Sequence, residues 1–229
     1  MNMLGYCTYF GTVLTLAAYF AASALKKRFK SAFLNPILIS IIIIISFLML
    51  TDSSYEMYEE SAKYISWFLT PATVALAVPL YRKLEILKKN FTAVFCGIIS
   101  GVIASCIGVF MLAVLFNLSH TEYVTLLPKS VTTAIGMGIS QELGGISAIS
   151  VPVIIITGVF GNMTAELVFK IFKITNPLAK GLAIGTSSHG IGTAKAIELG
   201  EVEGAMSGLS IAVSGIITVI AAQLFALIR

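Results

Sequence analysis

The stretch Gly181-Leu-Ala-Ile-Gly185-Thr-Ser-Ser-His189-Gly-Ile-Gly192-Thr-Ala-Lys195-Ala decides how this chain is read. Its neighbours are apolar enough to sit in a lipid bilayer, yet its middle is a run of hydroxyls, glycines and one histidine. A lipid-facing helix is poorly built from such residues. Polar and ionisable groups at membrane depth cost several kcal/mol, so they mark a functional site by default. Ser-Ser-His-Gly-Ile-Gly-Thr running into Ala194-Lys-Ala-Ile reads as an unwound link feeding a half-helix. The N-terminal amides of that half-helix, with their partial positive charge, would cradle a carboxylate. Thr186, Ser187, Ser188, Thr193 and Lys195 are then candidate substrate contacts. His189 joins them and, titrating near neutrality when unperturbed, could also carry a proton in symport. Against this stands the plain reading of His189 as a hydrogen-bonded core residue. Likewise Gly181/Gly185 and Gly204/Gly208 are small-xxx-small pairs that let helices approach closely. Packing explains the glycines; it does not explain four polar residues in a row.

The rest of the chain fits a membrane setting. Of 229 residues 57% are hydrophobic and only 11% charged, against about 25% charged in a soluble domain. Unbroken runs such as Ile41-Ile-Ile-Ile-Ile45 lack the alternation of a β-barrel strand, so the class is all-α and polytopic. Apolar runs of spanning length are Leu4–Leu25, Phe33–Leu50, Tyr64–Leu80, Phe91–Phe116, Ser147–Phe172, Leu178–Ile197 and Ala205–Ile228. Tyr123–Gly145 carries too many polar residues and glycines for a simple span.

Charge sets the expected orientation. Lys26, Lys27, Arg28 and Lys30 follow the first span, and Arg82, Lys83, Lys88 and Lys89 follow the third, while Asp52, Glu56, Glu59 and Glu60 crowd the loop between the second and third. Basic loops stay cytoplasmic, which puts the N-terminus outside. The net charge of +4 gives little by itself; the basic clusters are topology signals, since no soluble basic domain or aromatic interleaving accompanies them to suggest nucleic acid. Ala22-Ser23-Ala24 imitates a signal-peptidase site, but the basic residues follow the apolar core instead of preceding it. Cys7, Cys96 and Cys106 have no metal-ligand or CxxC spacing, and no metal or cofactor is expected.

A weak internal repeat runs at an offset of 57, from Pro71 to Pro128. Leu69-Thr-Pro71-Ala-Thr73-Val-Ala-Leu-Ala77-Val78 aligns with Leu126-Leu-Pro128-Lys-Ser130-Val-Thr-Thr-Ala134-Ile135, and Ile98–Val102 with Ile155–Val159. The repeat divides one transmembrane domain, 1–229, into halves 1–116 and 117–229, with a segment 123–145 and a broken helix 178–197 in the second half. Corresponding Gly/Pro-interrupted segments in two halves point to a transporter site. Lys170, Lys173 and Lys180 want the cytoplasm and Glu198, Glu201 and Glu203 the outside. Both signs hold if 123–145 is a re-entrant hairpin on the outer face, with arms Leu126–Gly136 and Met137–Gly145 hinged at Gly136 and Gly138. Seven spans plus one re-entrant segment, N-out and C-in, is the expected architecture; eight full spans is the alternative.

Other candidates follow from residue type. Pro71 and Pro79 bracket a segment in which Thr70 or Thr73 could contact substrate or merely mend a kink. Lys129, Ser130 and Thr132 would face an anion, unless Lys129 snorkels to the interface. Glu142, and Asn162 with Glu166 one helical turn on, are candidates for a coupling ion or proton.

At these residues the chain strongly resembles the LrgB/CidB family. The likeness is carried by Leu69–Leu80, by Pro128-Lys-Ser-Val-Thr-Thr133, by Gly144-Gly145 with Val159-Phe-Gly161, and by Gly185-Thr-Ser-Ser-His-Gly-Ile-Gly-Thr-Ala-Lys-Ala196. Ala134 stands where the family pattern places Pro. The resemblance implies a bacterial inner-membrane protein working beside a smaller LrgA/CidA-type partner. Two roles come with it: antiholin-like control of murein hydrolases and autolysis, or transport of small carboxylates of the pyruvate and glycolate kind. A carrier needs polar groups in mid-membrane and a pure regulator does not, so a proton- or sodium-coupled monocarboxylate carrier is the expected function. No HExxH, GxSxG elbow or buried Asp pair suggests an enzyme. Close-packing glycines permit pairing with that holin-like partner, and a homo-oligomer is a further expectation.

Overall fold

The computed structural model describes residues 8–29, 35–75 and 77–229, which are helical with no strand among them. The chain forms two compact units, Met1–Ala75 and Leu76–Arg229. In the first, α1 (Phe10–Phe29), α2 (Pro36–Leu50) and α3 (Tyr55–Ser66) pack together, followed by α4 (Leu69–Ala75). Asn35 starts α2 by accepting from the Ile37 and Leu38 amides, with Pro36 where no amide is needed. Gly11 lets α1 press on α3: its amide donates to Ser61 Oγ at 2.8 Å, and a Cβ there would meet Tyr58 O at 2.5 Å. The run Tyr64–Leu80 is interrupted at Trp67–Phe68, between α3 and α4, and α5 (Ala77–Arg82) opens the second unit. Pro71 sits in the first turn of α4, where its missing N–H has no intrahelical partner to lose.

The second unit continues with α6 (Leu84–Lys89), α7 (Phe91–Leu115), α8 (His120–Leu126), α9 (Thr133–Glu142), α10 (Ser147–Ile171), α11 (Pro177–Leu199) and α12 (Glu201–Ala226). Among the described residues α7, α10 and α12 are the helices long and apolar enough to cross a membrane. Between them lie two helical hairpins.

The first hairpin is α8, the turn 127–132 and α9. Ser119 and Glu122 form a reciprocal capping box that starts α8. Pro128 then interrupts the helix, and α9 runs back alongside it. Thr125 near the end of α8 and Ser140 near the end of α9 both lie on Ser150 of α10, with Ser150 Oγ 2.9 Å from Thr125 O and 2.8 Å from Ser140 Oγ. Near the turn, a Cβ on Gly136 would meet Pro128 O at 3.3 Å. The reversal falls at 127–132 and not at Gly136 and Gly138, which sit inside the continuous α9. The proline forces the break; Gly136 instead makes room for Ile154 of α10. With 7 and 10 residues the arms are about 10 and 15 Å long.

The second hairpin is α11 itself. His189 has φ 42° and ψ −138°, a left-handed conformation inside an otherwise helical segment, and the chain folds back there. Helix α10 records the reversal. Its Gly161 faces Ser188 and its Gly158 the His189 ring, while Asn162 Nδ2 donates to Ile191 O at 2.8 Å. Ile184 and Ala196, twelve residues apart, share one buried cluster with Ala165 and Phe169. Helix α12 records it again, because Ser207 touches both Gly185 of the incoming arm and Thr193 of the returning arm. Leu178–Ile197 is therefore a pair of antiparallel arms, 177–188 and 190–199, and not a span.

This reversal moves two groups from their expected sides. Glu201 lies 2.9 Å from Lys83, so the acidic cluster at 198–203 shares an end with the basic residues it was expected to oppose. α12 then runs the other way. Tyr123 OH donates to Phe225 O at 3.1 Å and Arg229 reaches Leu118 O. The C-terminus sits at the end opposite Lys83, whereas the charge pattern alone puts it on the same side.

α7 and α10 are each 25 residues, and each is followed by a hairpin, 120–142 and 177–199. α7 and α10 run in opposite directions, the end of α10 lying with the start of α7.

Candidate functional site

The tip of the first hairpin and the incoming arm of α11 meet α7 around a cavity of about 800 Å³. Asn90 and Asn176 line it at the end where α7 and α11 begin, and Ser105, Lys129, Ser130, Thr186 and Ser187 line its deep part. Gly97 and Gly101 bring α7 close: a Cβ on Gly101 would lie 2.9 Å from Thr186 Oγ1. Ser105 is ten residues before the end of α7 at Leu115, or about 15 Å of helix. That is half of a hydrocarbon core about 30 Å thick.

At the hairpin tip three polar groups close a triangle. Lys129 Nζ donates to Ser130 Oγ at 3.1 Å and to Ser105 Oγ at 3.3 Å, and the two hydroxyls are 3.0 Å apart. The three edges use two ammonium hydrogens and one hydroxyl hydrogen. One N–H and one O–H remain without an acceptor among the described residues. No carboxylate pairs with Lys129 among those residues. Thr186 and Ser187 donate to Leu182 O and Ala183 O, each at 2.7 Å, and so offer lone pairs to the cavity. A carboxylate, acceptor-only with two oxygens, matches the two spare donors on the triangle.

Four of the candidates from sequence, Lys129, Ser130, Thr186 and Ser187, thus line one space. The others lie elsewhere. His189 is buried with Nε2 3.0 Å from Ile154 O. Ser188 fills the notch at Gly161, and Thr193 bridges His189 O at 2.9 Å and Ser207 at 2.7 Å. Lys195 is ion-paired with Glu166 and with Glu198. Asn162 holds the second tip through Ile191 O. Glu142 is exposed at the far end, 3.4 Å from Gln223, and Thr132 caps α9 without a side-chain bond. Thr70 is exposed on α4 of the first unit; the side chain of Thr73 lies outside the described residues. The helix carrying Thr186 to Lys195 is interrupted as expected, but the arm that borders the cavity is the one ending at Ser188. Its carbonyl end is nearby, and the cationic element is Lys129.

The residue missed is Ser105. One signal existed: the offset of 57 carries Ser105 onto Asn162, already singled out. The two occupy equivalent places, each a polar side chain in mid-helix that holds a hairpin tip.

Comparison with known proteins now places the whole arrangement. The family model described as the LrgB-like family matches residues 15–228. This chain belongs to the LrgB family. The match takes in α7, α10, α12 and both hairpins, so the LrgB likeness covers the entire site. Two curated relatives are named Antiholin-like protein LrgB, from Bacillus cereus (strain B4264) and Bacillus anthracis (strain CDC 684 / NRRL 3495). Each is 39% identical over 218 residues, covering 95% of either chain. No solved structure matches. The chain is an LrgB-family membrane protein with apolar helices able to span, and the names of its relatives are not those of an enzyme.

Proposed function

We propose that this LrgB-family protein is a secondary carrier for a small monocarboxylate of the pyruvate, glycolate or lactate class. One observation carries the reading: an ammonium with no carboxylate paired to it among the described residues, at the tip of an interrupted helix, in the depth of a cavity. A structural lysine in a bilayer would snorkel or pair. Among the described residues Lys129 does neither, and it keeps one spare N–H with one spare hydroxyl O–H beside it. In this reading the end carrying Lys83, Lys88, Lys89, Lys170, Lys173 and Lys180 is cytoplasmic, the cavity opens there, and the C-terminus is outside. The hairpins then enter the bacterial inner membrane from opposite faces, one from each side. Irregular backbone is tolerated at that depth because it is buried or lines a cavity, and inverted span-plus-break repeats are a carrier's usual frame.

The purified chain in liposomes, with and without an LrgA/CidA-type partner, is expected to take up labelled pyruvate, glycolate or lactate. Ser105→Ala removes one corner of the triangle. A lost hydrogen bond to a charged group is worth about 1.5–3 kcal/mol, so KM should rise roughly 10- to 100-fold while the amount of folded protein stays the same. An unchanged KM would place the substrate elsewhere. The name borne by the Bacillus relatives favours a second reading, antiholin-like control of murein hydrolases through that partner. Absence of uptake for every small monocarboxylate, with the partner present, would leave that reading standing.

A further inference from the structure

We infer that Lys129 is itself the coupling group of this carrier, taking one proton and one monoanion across together so that each step moves no net charge. The inference rests on the carrier reading and names its driving ion.

The lining of the cavity carries it. Apart from Lys129, the residues around that space are Asn, Ser, Thr, Gly, Ala, Val and Leu, none of which titrates. The titratable groups on the elements packed nearby are otherwise engaged or remote. Cys106 of α7 is buried in the apolar cluster beside the tip. Tyr123 of α8 donates to Phe225 O, and His189 of α11 is held on Ile154 O. Glu166 of α10 is paired with Lys195, and Glu142 of α9 lies near Gln223 of α12 at the far end. Among the described residues no carboxylate lines the cavity, so none there takes a proton from the substrate's surroundings.

An uncompensated charge at mid-membrane is costly, so only two loadings of this site travel readily. One is the ammonium with a monoanion bound, which is neutral. The other is the free amine with nothing bound, also neutral. Cycling between them transports one carboxylate and one proton per turnover. The proton leaves the ammonium when the carboxylate leaves and is replaced from water before the next is bound. A dianion would leave the loaded site one charge negative, and a bare ammonium would have to return unpaired. The site therefore selects substrates of single negative charge.

The test uses the full-length protein in liposomes with labelled pyruvate as probe. A pH gradient should drive accumulation, a potassium–valinomycin potential should leave the rate unchanged, and succinate should not compete. Chloride as an equal competitor would show an anion site without carboxylate selectivity, which overturns the pairing with two donors. Lys129→Arg keeps the cation but cannot release its proton. It should still exchange internal for external pyruvate at a reduced rate, while net uptake falls at least tenfold. Lys129→Gln should lose both. Net, pH-driven uptake by Lys129→Arg at the wild-type rate overturns the inference, and so does wild-type uptake that follows the membrane potential. Absence of any uptake or exchange in the wild-type protein is a different failure, that of the carrier reading itself.

Discussion

Gly185→Val is expected to abolish accumulation of folded protein in the membrane. The incoming arm of α11 lies on α12 with almost no space between the backbones: a Cβ at Gly185 would sit 2.5 Å from Ser207 O and 2.6 Å from Ser210 Cβ. Backbone cannot rotate away as a side-chain tip can, so valine must push the helices apart. The loss then spreads, because Ser207 also anchors the returning arm through Thr193 at 2.7 Å. Overpacking of this sort costs about 1–3 kcal/mol at a forgiving site, and here the neighbouring group is main chain on a helix that both arms share. Fluorescence-detected size exclusion of detergent extracts is the measurement, with a monodisperse peak near the wild-type height the contrary outcome. Gly138→Val is the control, since nothing lies within 4 Å of a Cβ at that position; it should retain most of the peak.

His189→Ala is expected to act on stability first and on transport only through it. The imidazole is 4% exposed, seated against Gly158, with Nε2 on Ile154 O. Removing the ring takes a second hydrogen bond from Ile154 O, which keeps its helical partner inside α10, and opens a hole between α10 and the tip of the second hairpin. The lost hydrogen bond costs about 0.5–1.5 kcal/mol, and the cavity adds to it. Thermal unfolding in detergent should therefore shift down by several degrees. Substrate affinity of the protein that remains folded should stay within a few-fold of wild type, because the ring is not part of the cavity wall. A large loss of affinity with no change in Tm would instead make His189 a substrate contact.

The fold was legible where chemistry is local. Pro128 and the Gly/Ser/Thr run at 185–193 announced interruptions, and both are places where helices stop. Membership of the LrgB family and the all-helical class followed from motif and composition. What failed was direction. A run such as Leu178–Ile197 has the length of a span whether it crosses or turns back, and only the contacts of Gly181, Gly185 and Thr193 with α12 distinguish the two. Reading α11 as crossing puts Glu198–Glu203 opposite Lys83 and the C-terminus beside it, the reverse of the ends they share in the fold. The lone pair of expected hinge glycines failed for a related reason: Gly136 admits a neighbouring side chain without bending its own helix. In the site, residue type identified the hydroxyls around Lys129 but could not separate Ser187, which faces the cavity, from Ser188, which faces Gly161. Adjacent helical residues point in different directions, and sequence does not record which neighbour lies on which side.

The account depends on the chain reversing at His189, and spin-label distances between Ala179 and Ile197, both exposed, test that reversal directly. In a continuous helix these positions are separated by about 27 Å of rise. Folded back, they lie on antiparallel arms whose axes are about 8–10 Å apart, and the labels should report a short distance with a narrow distribution. A distribution centred near the length of the unbroken helix would contradict the hairpin, and with it the cavity that the two tips enclose.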